Sequence, residues 1–469
     1  MPQDIGVTGD ARTVHELLLN LAPAGMRAAG QAMLHAERAL EDGEDPAQAG
    51  MALGSAIADW SALGGYELQG QWDAACRRIV GVGFDEVGMR LGSELSGGEL
   101  KRLVLDLLLA GDAPVLLLDE PDNFLDVAAK RALERRIAMS PKTILVISHD
   151  RELLSAAVDS IVTLEGSGAW VHGDSYANYP EARTHRQTLL GDALARWHEE
   201  ERRLFQYYKL LKERARYSPD MAKRADAAQS RWERFVAAGP PPAPVVDQHI
   251  RVLLRGADSA RRVVDLRDVA LLGLLDPFAD EVHFGERLGL IGPNGTGKTH
   301  VMRLLAGEDV EHTGEVVMGP RVSPGLFTQL NARPAFAGQV VLDVITQRTG
   351  AAQPAMSALA RYGLVEAARR TYETLSGGQK ARLEILCLEL DGHNLLLLDE
   401  PTDNLDIDSA EALEAALDGF EGTVIAVSHD RAFLRRLDRF WLLDEDGSVA
   451  LLADPDAALE ALGAGDGRR

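Results

Sequence analysis

Cysteine is nearly missing from these 469 residues: only Cys76 and Cys387 occur, far apart and in unrelated surroundings. That excludes a disulfide framework, a cysteine-rich zinc site and an iron–sulfur cluster, and predicts a reducing, cytoplasmic setting. Long apolar runs are lacking too. No stretch approaches the ~20 residues that cross a bilayer, and the opening residues have neither the basic head nor the apolar stretch of a signal peptide, so no membrane segment is expected. Positive charge is scarce: 49 Lys and Arg against 72 Asp and Glu give a formal net charge of −23. A uniformly acidic surface repels a polyanion, which argues against indiscriminate nucleic-acid binding. The length favours two or three domains with ample core.

What is present is an internal duplication. "LSGGELKRLVLDLLLAGDAPVLLLDEPDNFLD", Leu95 to Asp126, returns as "LSGGQKARLEILCLELDGHNLLLLDEPTDNLD", Leu375 to Asp406, and "SHDR" follows each at the same offset of 280 residues. Upstream the register changes. "TVHELLLN" at Thr13 resembles "VVLDVITQ" at Val340, but 82 residues separate Val14 from Ser96 and only 35 separate Val341 from Ser376. The 47 extra residues are assigned to an Ala-rich helical stretch around Met26 to Trp60. "GPNGTGKT", Gly292 to Thr299, occurs once. By the spacing of the second copy, its counterpart belongs about ninety residues ahead of the first repeat. The expectation is therefore a tandem protein lacking its first N-terminal portion, by truncation or by a late start codon; the alternative is that the piece was never needed.

Between the copies, Glu181 to Phe235 reads as helix. Leu204, Tyr208 and Leu211 form one apolar seam, and Ala225, Ala228, Trp232 and Phe235 another. "YSPD", Tyr217 to Asp220, interrupts them, with Ser218 suited to capping and Pro219 to the first helical position. An antiparallel hairpin is predicted, each arm on the order of 40 Å or more at 1.5 Å per residue. "AAGPPPAPVV", Ala237 to Val246, ends it, because successive prolines remove helix donors.

The chemistry concentrates in the second copy. Leu288 to Ile291 reads as a buried strand feeding a Gly-rich turn and then a helix from Lys298. Gly292, Gly295 and Gly297 let backbone N–H groups converge on phosphate, Lys298 reaches the terminal phosphates, and Thr299 offers a hydroxyl to magnesium. "NLLLLDEP" reads as a covered parallel strand ending in Asp399 and Glu400: Asp399 suits the magnesium shell, and Glu400 can orient or deprotonate the attacking water. Read alone, these would equally be two solvated carboxylates at a turn. "VIAVSHDR" ends in Ser428 and His429, whose neutral imidazole could bond a γ-phosphate or the water, or merely cap a strand end. Gln329 is a candidate magnesium and water ligand by position. "LSGGQ" and "LSGGE" make helix N-termini whose free N–H groups attract phosphate, although Gly-Gly before a helix is also an ordinary turn.

In that order, phosphate loop, glutamine, "LSGGQ", "LLLLDEP", "NLD" and "SHD" resemble the ATP-binding cassette ATPases over nearly all of the chain except the linker. The resemblance implies an α/β fold with two tandem P-loop cassettes that face head to tail as an intramolecular dimer. One composite site would then join Gly292, Pro293, Asn294, Gly295, Thr296, Gly297, Lys298, Thr299, Gln329, Asp399, Glu400 and His429 with Ser96, Gly97 and Gly98, holding ATP and Mg2+. Its degenerate counterpart would set Asp119, Glu120 and His149 against Ser376, Gly377 and Gly378 without a lysine. The adenine-stacking aromatic of many members has no convincing counterpart; Phe278 and Phe284 read as core. Glu99 replaces Gln379 with little expected effect.

The helical hairpin between two cassettes resembles the ABC-F branch, as do the extra helical segment, "ALGGYELQGQWDAACRRIVGVGF" and "GDSYANYPEAR". The implied domains are a first cassette over 1–180, with a helical arm about 25–75 and a core at 90–165, a linker over 181–246 and a complete cassette over 247–469. From Arg202 to Arg234 ten basic residues face four acidic ones. That patch suits a crowded RNA surface, though it would also suit a merely solvated hairpin. The branch implies a ribosome partner, with the hairpin near ribosomal RNA and transfer RNA at the exit site, in translation control or antibiotic protection. The rival readings are an ATP-binding subunit of a transporter with separate membrane subunits, or a remnant that does not hydrolyse ATP.

Overall fold

The computed structural model describes residues 12–43, 45–123, 125–166, 168–216, 219–245, 250–254, 259–328, 336–403 and 405–464. They divide into two compact units, one formed by residues 1–153 with 249–469 and the other by 154–248.

The first repeat opens with a helix, Val14–Leu19, started by a capping box in which Thr13 and Glu16 satisfy each other's backbone N–H. Thr13 bridges to Leu91 as Val340 bridges to Thr371. Leu91 and Thr371 obey the 280-residue offset whereas Thr13 and Val340 are 327 apart, so the extra 47 residues lie between the two bridged positions. They form helices Ala24–Glu41 and Pro46–Ala62 and part of Gly65–Ile79. Trp60, Trp72 and Phe84 join Leu18, Leu19, Leu100 and Leu103 in one core. Helix Gly97–Ala110 then leads to β1 (Val115–Asp119), which pairs in parallel with β2 (Thr143–Ile147) around helix Val127–Ala138. One face of this ribbon is largely exposed: Val115, Leu117, Leu145 and Ile147 are each more than half exposed. Their counterparts at +280 are 2% exposed or less.

In the intervening unit, β3 (Ile161–Glu165) and β4 (Gly168–His172) form an antiparallel pair ahead of helices Tyr179–Arg214 and Pro219–Ala237. The two helices pack on each other, with Tyr208, Leu211, Ala225 and Ala228 in the seam. Tyr208 stacks on Trp232 at 6.1 Å and 6°, and Trp197 on Phe235 at 5.3 Å and 20°. The helix pair therefore follows the apolar periodicity, but the arms are unequal. The first has 36 residues and the second 19, roughly 54 and 28 Å, so the second falls short of the expected length. The prolines from Pro240 onward stop it, whereas the first arm starts earlier, at Tyr179. Tyr217 and Ser218 lie outside the described residues.

The second repeat contains β5 (Arg262–Leu271), β6 (Leu275–His283), β7 (Arg287–Ile291), β8 (His312–Met318), β9 (Pro324–Phe327), β10 (Leu395–Asp399), β11 (Thr423–Val427), β12 (Arg439–Leu443) and β13 (Val449–Leu452). Six of them form a sheet in the order β13-β12-β7-β11-β10-β9, parallel except for β13, and β6-β5-β8 form an antiparallel sheet. β10 and β11 are buried throughout, as parallel strands covered on both faces must be. Side chains on one face of these strands, including Leu395, Leu397, Ile425 and Val427, pack with β5, β7, β12 and helix Lys298–Leu305. Those on the other, Leu396, Leu398, Val424 and Ala426, meet helices Gly377–Asp391 and Ile407–Asp418. Phe278 packs edge-on against Trp441 at 5.6 Å, as core. Phe284 does not: it is 37% exposed, at the strand-to-turn corner after β6. Among the described residues no helix is long and apolar enough to cross a membrane.

Trp72 is 1% exposed and touches the rings of Trp60 and Phe84. Trp72→Ala is expected to cost about 3–5 kcal/mol through the cavity it leaves. Urea unfolding followed by far-UV circular dichroism measures this, and a loss below about 1 kcal/mol would mean the aromatic cluster is not what holds the first repeat together.

Candidate functional site

The carboxyl ends of β7, β10 and β11 deliver three loops to one edge of the sheet, the place where parallel α/β sheets bind ligands. After β7 come Gly292, Gly295 and Gly297 with φ of 145°, 87° and 93°, values that glycine adopts without the Cβ clash. They fold the chain back so that helix Lys298–Leu305 points its free N–H groups into the loop. Lys298 Nζ donates to the carbonyls of Gly292 and Pro293 at 2.8 and 2.7 Å, and the Thr296 hydroxyl donates to Pro293 at 3.0 Å. Burial lowers the Lys298 pKa against the opposing pull of Glu400, Asp399 and Asp126.

From the end of β10, Asp399 Oδ2 accepts the Thr299 hydroxyl at 2.8 Å. Two hard oxygen donors on adjacent loops beside a phosphate-binding turn fit a magnesium ion that keeps part of its water shell. Glu400 follows with φ 51°, a left-handed conformation that costs a non-glycine residue energy and is met at functional sites. Burial, with Asp403 and Asp399, pushes its carboxyl up to about 8, against the His429 N–H and Lys298. From β11, the His429 amide donates to Glu400 at 3.0 Å, while Nε2 lies 3.2 Å from Asn294 Oδ1 and 3.5 Å from Glu400. Burial, then Lys298 and Lys130, hold His429 well below its usual pKa, so the imidazole is neutral at neutral pH. Loop, acid pair and histidine thus lie together at one edge of the sheet. Gln329 lies outside the described residues.

Ser96 and Ser376 each cap a helix, Gly97–Ala110 and Gly377–Asp391. Glu99 and Gln379 play the same reciprocal role in the two boxes, so the exchange keeps the capping geometry. Among the described residues Ser96 bonds Glu99 and makes no direct hydrogen bond to the phosphate loop. Asp119, Glu120 and His149 repeat the second-copy geometry loosely. Glu120 has φ 43°, accepts from Asn123 at 2.6 Å, and lies 3.7 Å from a half-exposed His149.

Sequence reading missed the charges buried around these groups. Lys101, fully buried, donates from Nζ to the Glu120 carbonyl. Burial takes its pKa down to about 8 against Asp122, Glu120 and Asp119. Lys130 Nζ lies 3.1 Å from Asp150; burial pulls its pKa down, but Asp150, Asp122 and Asp403 outweigh that and hold it up. The repeat alignment could have exposed them, since the matching positions are Ala381, Thr402 and Ala410 for Lys101, Asp122 and Lys130.

Comparison with known proteins identifies the family. The ABC transporter family model matches residues 275–403. An "Antibiotic resistance protein" of Mycobacteroides abscessus is 44% identical over 97% of this chain and 87% of its own length. A probable ATP-binding cassette sub-family F member 3 homolog of Encephalitozoon cuniculi is 30% identical over 80% of this chain and 67% of its own. The chain belongs to the ABC-F family of ATP-binding proteins. The fold of this ABC-F chain is also that of an archaeal ribosome recycling factor solved with a ribosomal stalk protein, at a TM-score of 0.56 and 21% identity, covering 84% of this chain and 71% of that one.

At Gly292 a Cβ would sit 2.1 Å from the Leu443 carbonyl oxygen, whereas at Gly295 it meets nothing within 4 Å. Gly292→Ala is therefore expected to weaken ATP binding by about tenfold or more and Gly295→Ala by less, since only the first adds a backbone clash to the φ penalty. Titration with a fluorescent ATP analogue reads both, and equal affinities would contradict this placement.

Proposed function

We propose that this ABC-F protein hydrolyses magnesium-bound ATP and uses the cycle to time the binding of its basic helical hairpin to the ribosome. The observation that carries the reading is the convergence of Lys298, the Thr299–Asp399 pair, Glu400 and His429 at one sheet edge. In this reading Gly292, Pro293, Asn294, Gly295, Thr296, Gly297, Lys298 and Thr299 cradle the phosphates, and Ser96, Gly97 and Gly98 close over them from the first repeat. Thr299, Asp399 and Gln329 hold Mg2+, which when bound neutralises charge developing on the transferred phosphoryl group. Glu400 orients or deprotonates the attacking water, and neutral His429 bonds the water or the terminal phosphate. Asp119, Glu120 and His149 with Ser376, Gly377 and Gly378 form a second, degenerate pairing without a lysine of its own loop.

Residues 1–180 and 247–469 serve as the two cassettes and 181–246 as the linker. Ten basic residues between Arg202 and Arg234, on a chain of net charge −23, favour a polyanionic partner. The partner in this reading is ribosomal and transfer RNA near the exit site of the cytoplasmic ribosome. The name of the Mycobacteroides abscessus relative supports antibiotic protection as the setting.

Glu400→Gln should retain ATP binding, slow hydrolysis by about 10²–10⁴-fold, and hold the protein on ribosomes in a co-sedimentation assay. Unchanged turnover would remove Glu400 from the reaction. Arg202, Lys209 and Arg214 are exposed. Replacing all three with Gln should weaken co-sedimentation and flatten its dependence on log salt by about 2–3 units. An unaltered slope, or co-purification with a membrane protein instead, would turn the reading toward a transporter subunit.

A further inference from the structure

The residue after the "SHD" triplet is arginine in both repeats, and each arginine reaches into the opposite one. Arg151 of the first repeat donates from Nη1 to Glu414 at 3.2 Å and from Nη2 both to Glu414 and, at 3.3 Å, to Asp430. Its Nη1 also lies 3.6 Å from Glu411. Arg431 of the second repeat donates to Glu134 at 3.2 Å from Nη1 and again from Nη2, which lies 3.7 Å from Asp150. The 280-residue offset turns Arg151 into Arg431, Glu134 into Glu414 and Asp150 into Asp430, so the two sets are one contact made twice around an internal pseudo-twofold. Surface ion pairs contribute little, but these are not surface pairs. The Glu414 side chain is 1% exposed and that of Arg431 5%.

One of the two contacts borders the chemistry. Asp430 Oδ1 caps the following helical turn by accepting from Ala432 at 2.8 Å and Phe433 at 3.3 Å. The Asp430 amide is tied to Ser428 Oγ at 3.0 Å. His429 sits between them, against Asn294 and Glu400. The remaining carboxylate oxygen, Oδ2, is the one that Arg151 holds, while Glu414, its other anchor, is also 3.1 Å from Arg436 Nε. The planar guanidinium bridges two carboxylates on separate elements, a geometry that a lysine ammonium cannot reproduce.

We propose that Arg151 is a positioning residue for the nucleotide site of the second repeat: supplied by the first repeat, it fixes the Ser428–Asp430 turn that sets His429 against Asn294 and Glu400. Its effect on turnover rests on the reading above that this site hydrolyses ATP; its effect on the turn does not. The first repeat thereby contributes to the site a side chain distinct from its Ser-Gly-Gly helix.

Two measurements on the full chain separate these statements. In nucleotide-free protein, Arg151→Ala should speed amide exchange at Ala432 and Phe433 by tenfold or more, whereas Arg435→Ala should not. Arg435 pairs across the repeats with Glu152, and among the described residues no hydrogen bond or ion pair joins its side chain to Ser428, His429 or Asp430, so it controls for loss of an inter-repeat ion pair alone. In steady-state turnover, Arg151→Ala should lower kcat by about 10–100-fold, as misplacement of a catalytic group does, and leave KM for ATP within about twofold. Arg151→Lys should recover part of kcat and keep the assay readable if the alanine variant folds poorly. Unchanged exchange, equal effects from Arg435→Ala, or a rise in KM with kcat intact would each overturn the proposal. No hydrolysis by the unmutated chain would overturn the proposed function, and exchange would still decide the positioning role.

Discussion

Keeping charge inside a low-dielectric sheet edge is the constraint on which the rest of this molecule depends. Lys298, Asp399 and Glu400 are all buried, and an unpaired charge there would carry a desolvation penalty of several kcal/mol. The chain meets it by bringing opposite charges and dipoles from three loops to one place. Lys298 lies among carbonyls, Asp399 takes the Thr299 hydroxyl, and Glu400 takes a backbone N–H. The compensation is incomplete, since Glu400 sits high and Lys298 low in pKa. Buried groups whose pKa values are pushed away from their ordinary range cluster at functional sites.

The first repeat solves the same problem without a glycine-lysine loop among its described residues. Its Asp119, Glu120 and Asp122 are balanced by Lys101 and Lys130, two buried ammonium groups at positions where the second repeat has alanine. Asn123 donates to Glu120 where the second repeat places Asp403 beside Glu400. The first repeat thus draws its counter-charges from helices Gly97–Ala110 and Val127–Ala138, and the second from Lys298 at the start of the helix after its phosphate loop. The exposed face of β1 and β2 belongs to the same asymmetry, because the equivalent face in the second repeat packs with β5 and with helix Lys298–Leu305, the helix that follows its phosphate loop.

Much of this was legible. The phosphate loop could be read because glycine at positive φ has few substitutes, and β10 and β11 because a strand buried on both faces has to be apolar throughout. The hairpin seams followed from residues spaced three and four apart. Arm length was less legible: periodicity does not reveal that a helix begins at Tyr179, and the second arm was overestimated. Phe284 misled because an aromatic beside a strand resembles core until the turn that exposes it is known. The buried Arg151–Glu414 and Arg431–Glu134 pairs were in plain sight as repeated letters. A charged residue on a helix is read by default as solvated, however, and only the fold shows that these helices face the opposite repeat.

The placement of positive charge follows a related logic of distance. Along helix Tyr179–Arg214, the first residue of the basic stretch, Arg202, comes 23 residues after the helix start, roughly 35 Å at helical rise. At physiological salt the field of a charge decays over about 8 Å, so carboxylates near the start of the helix, such as Glu181, do little to cancel the field of its basic end, whereas Glu199, Glu200 and Glu201 adjoin that end and Glu200 pairs with Arg203. The whole chain can therefore be strongly acidic, which disfavours loose association with nucleic acid, while one segment still presents a local positive surface. The aromatic stacking of Tyr208 on Trp232 stiffens the arm within that stretch. Under the proposed function, less conformational entropy would then be lost on docking, and a stiff arm would pass a change in orientation along its length where a flexible linker would absorb it.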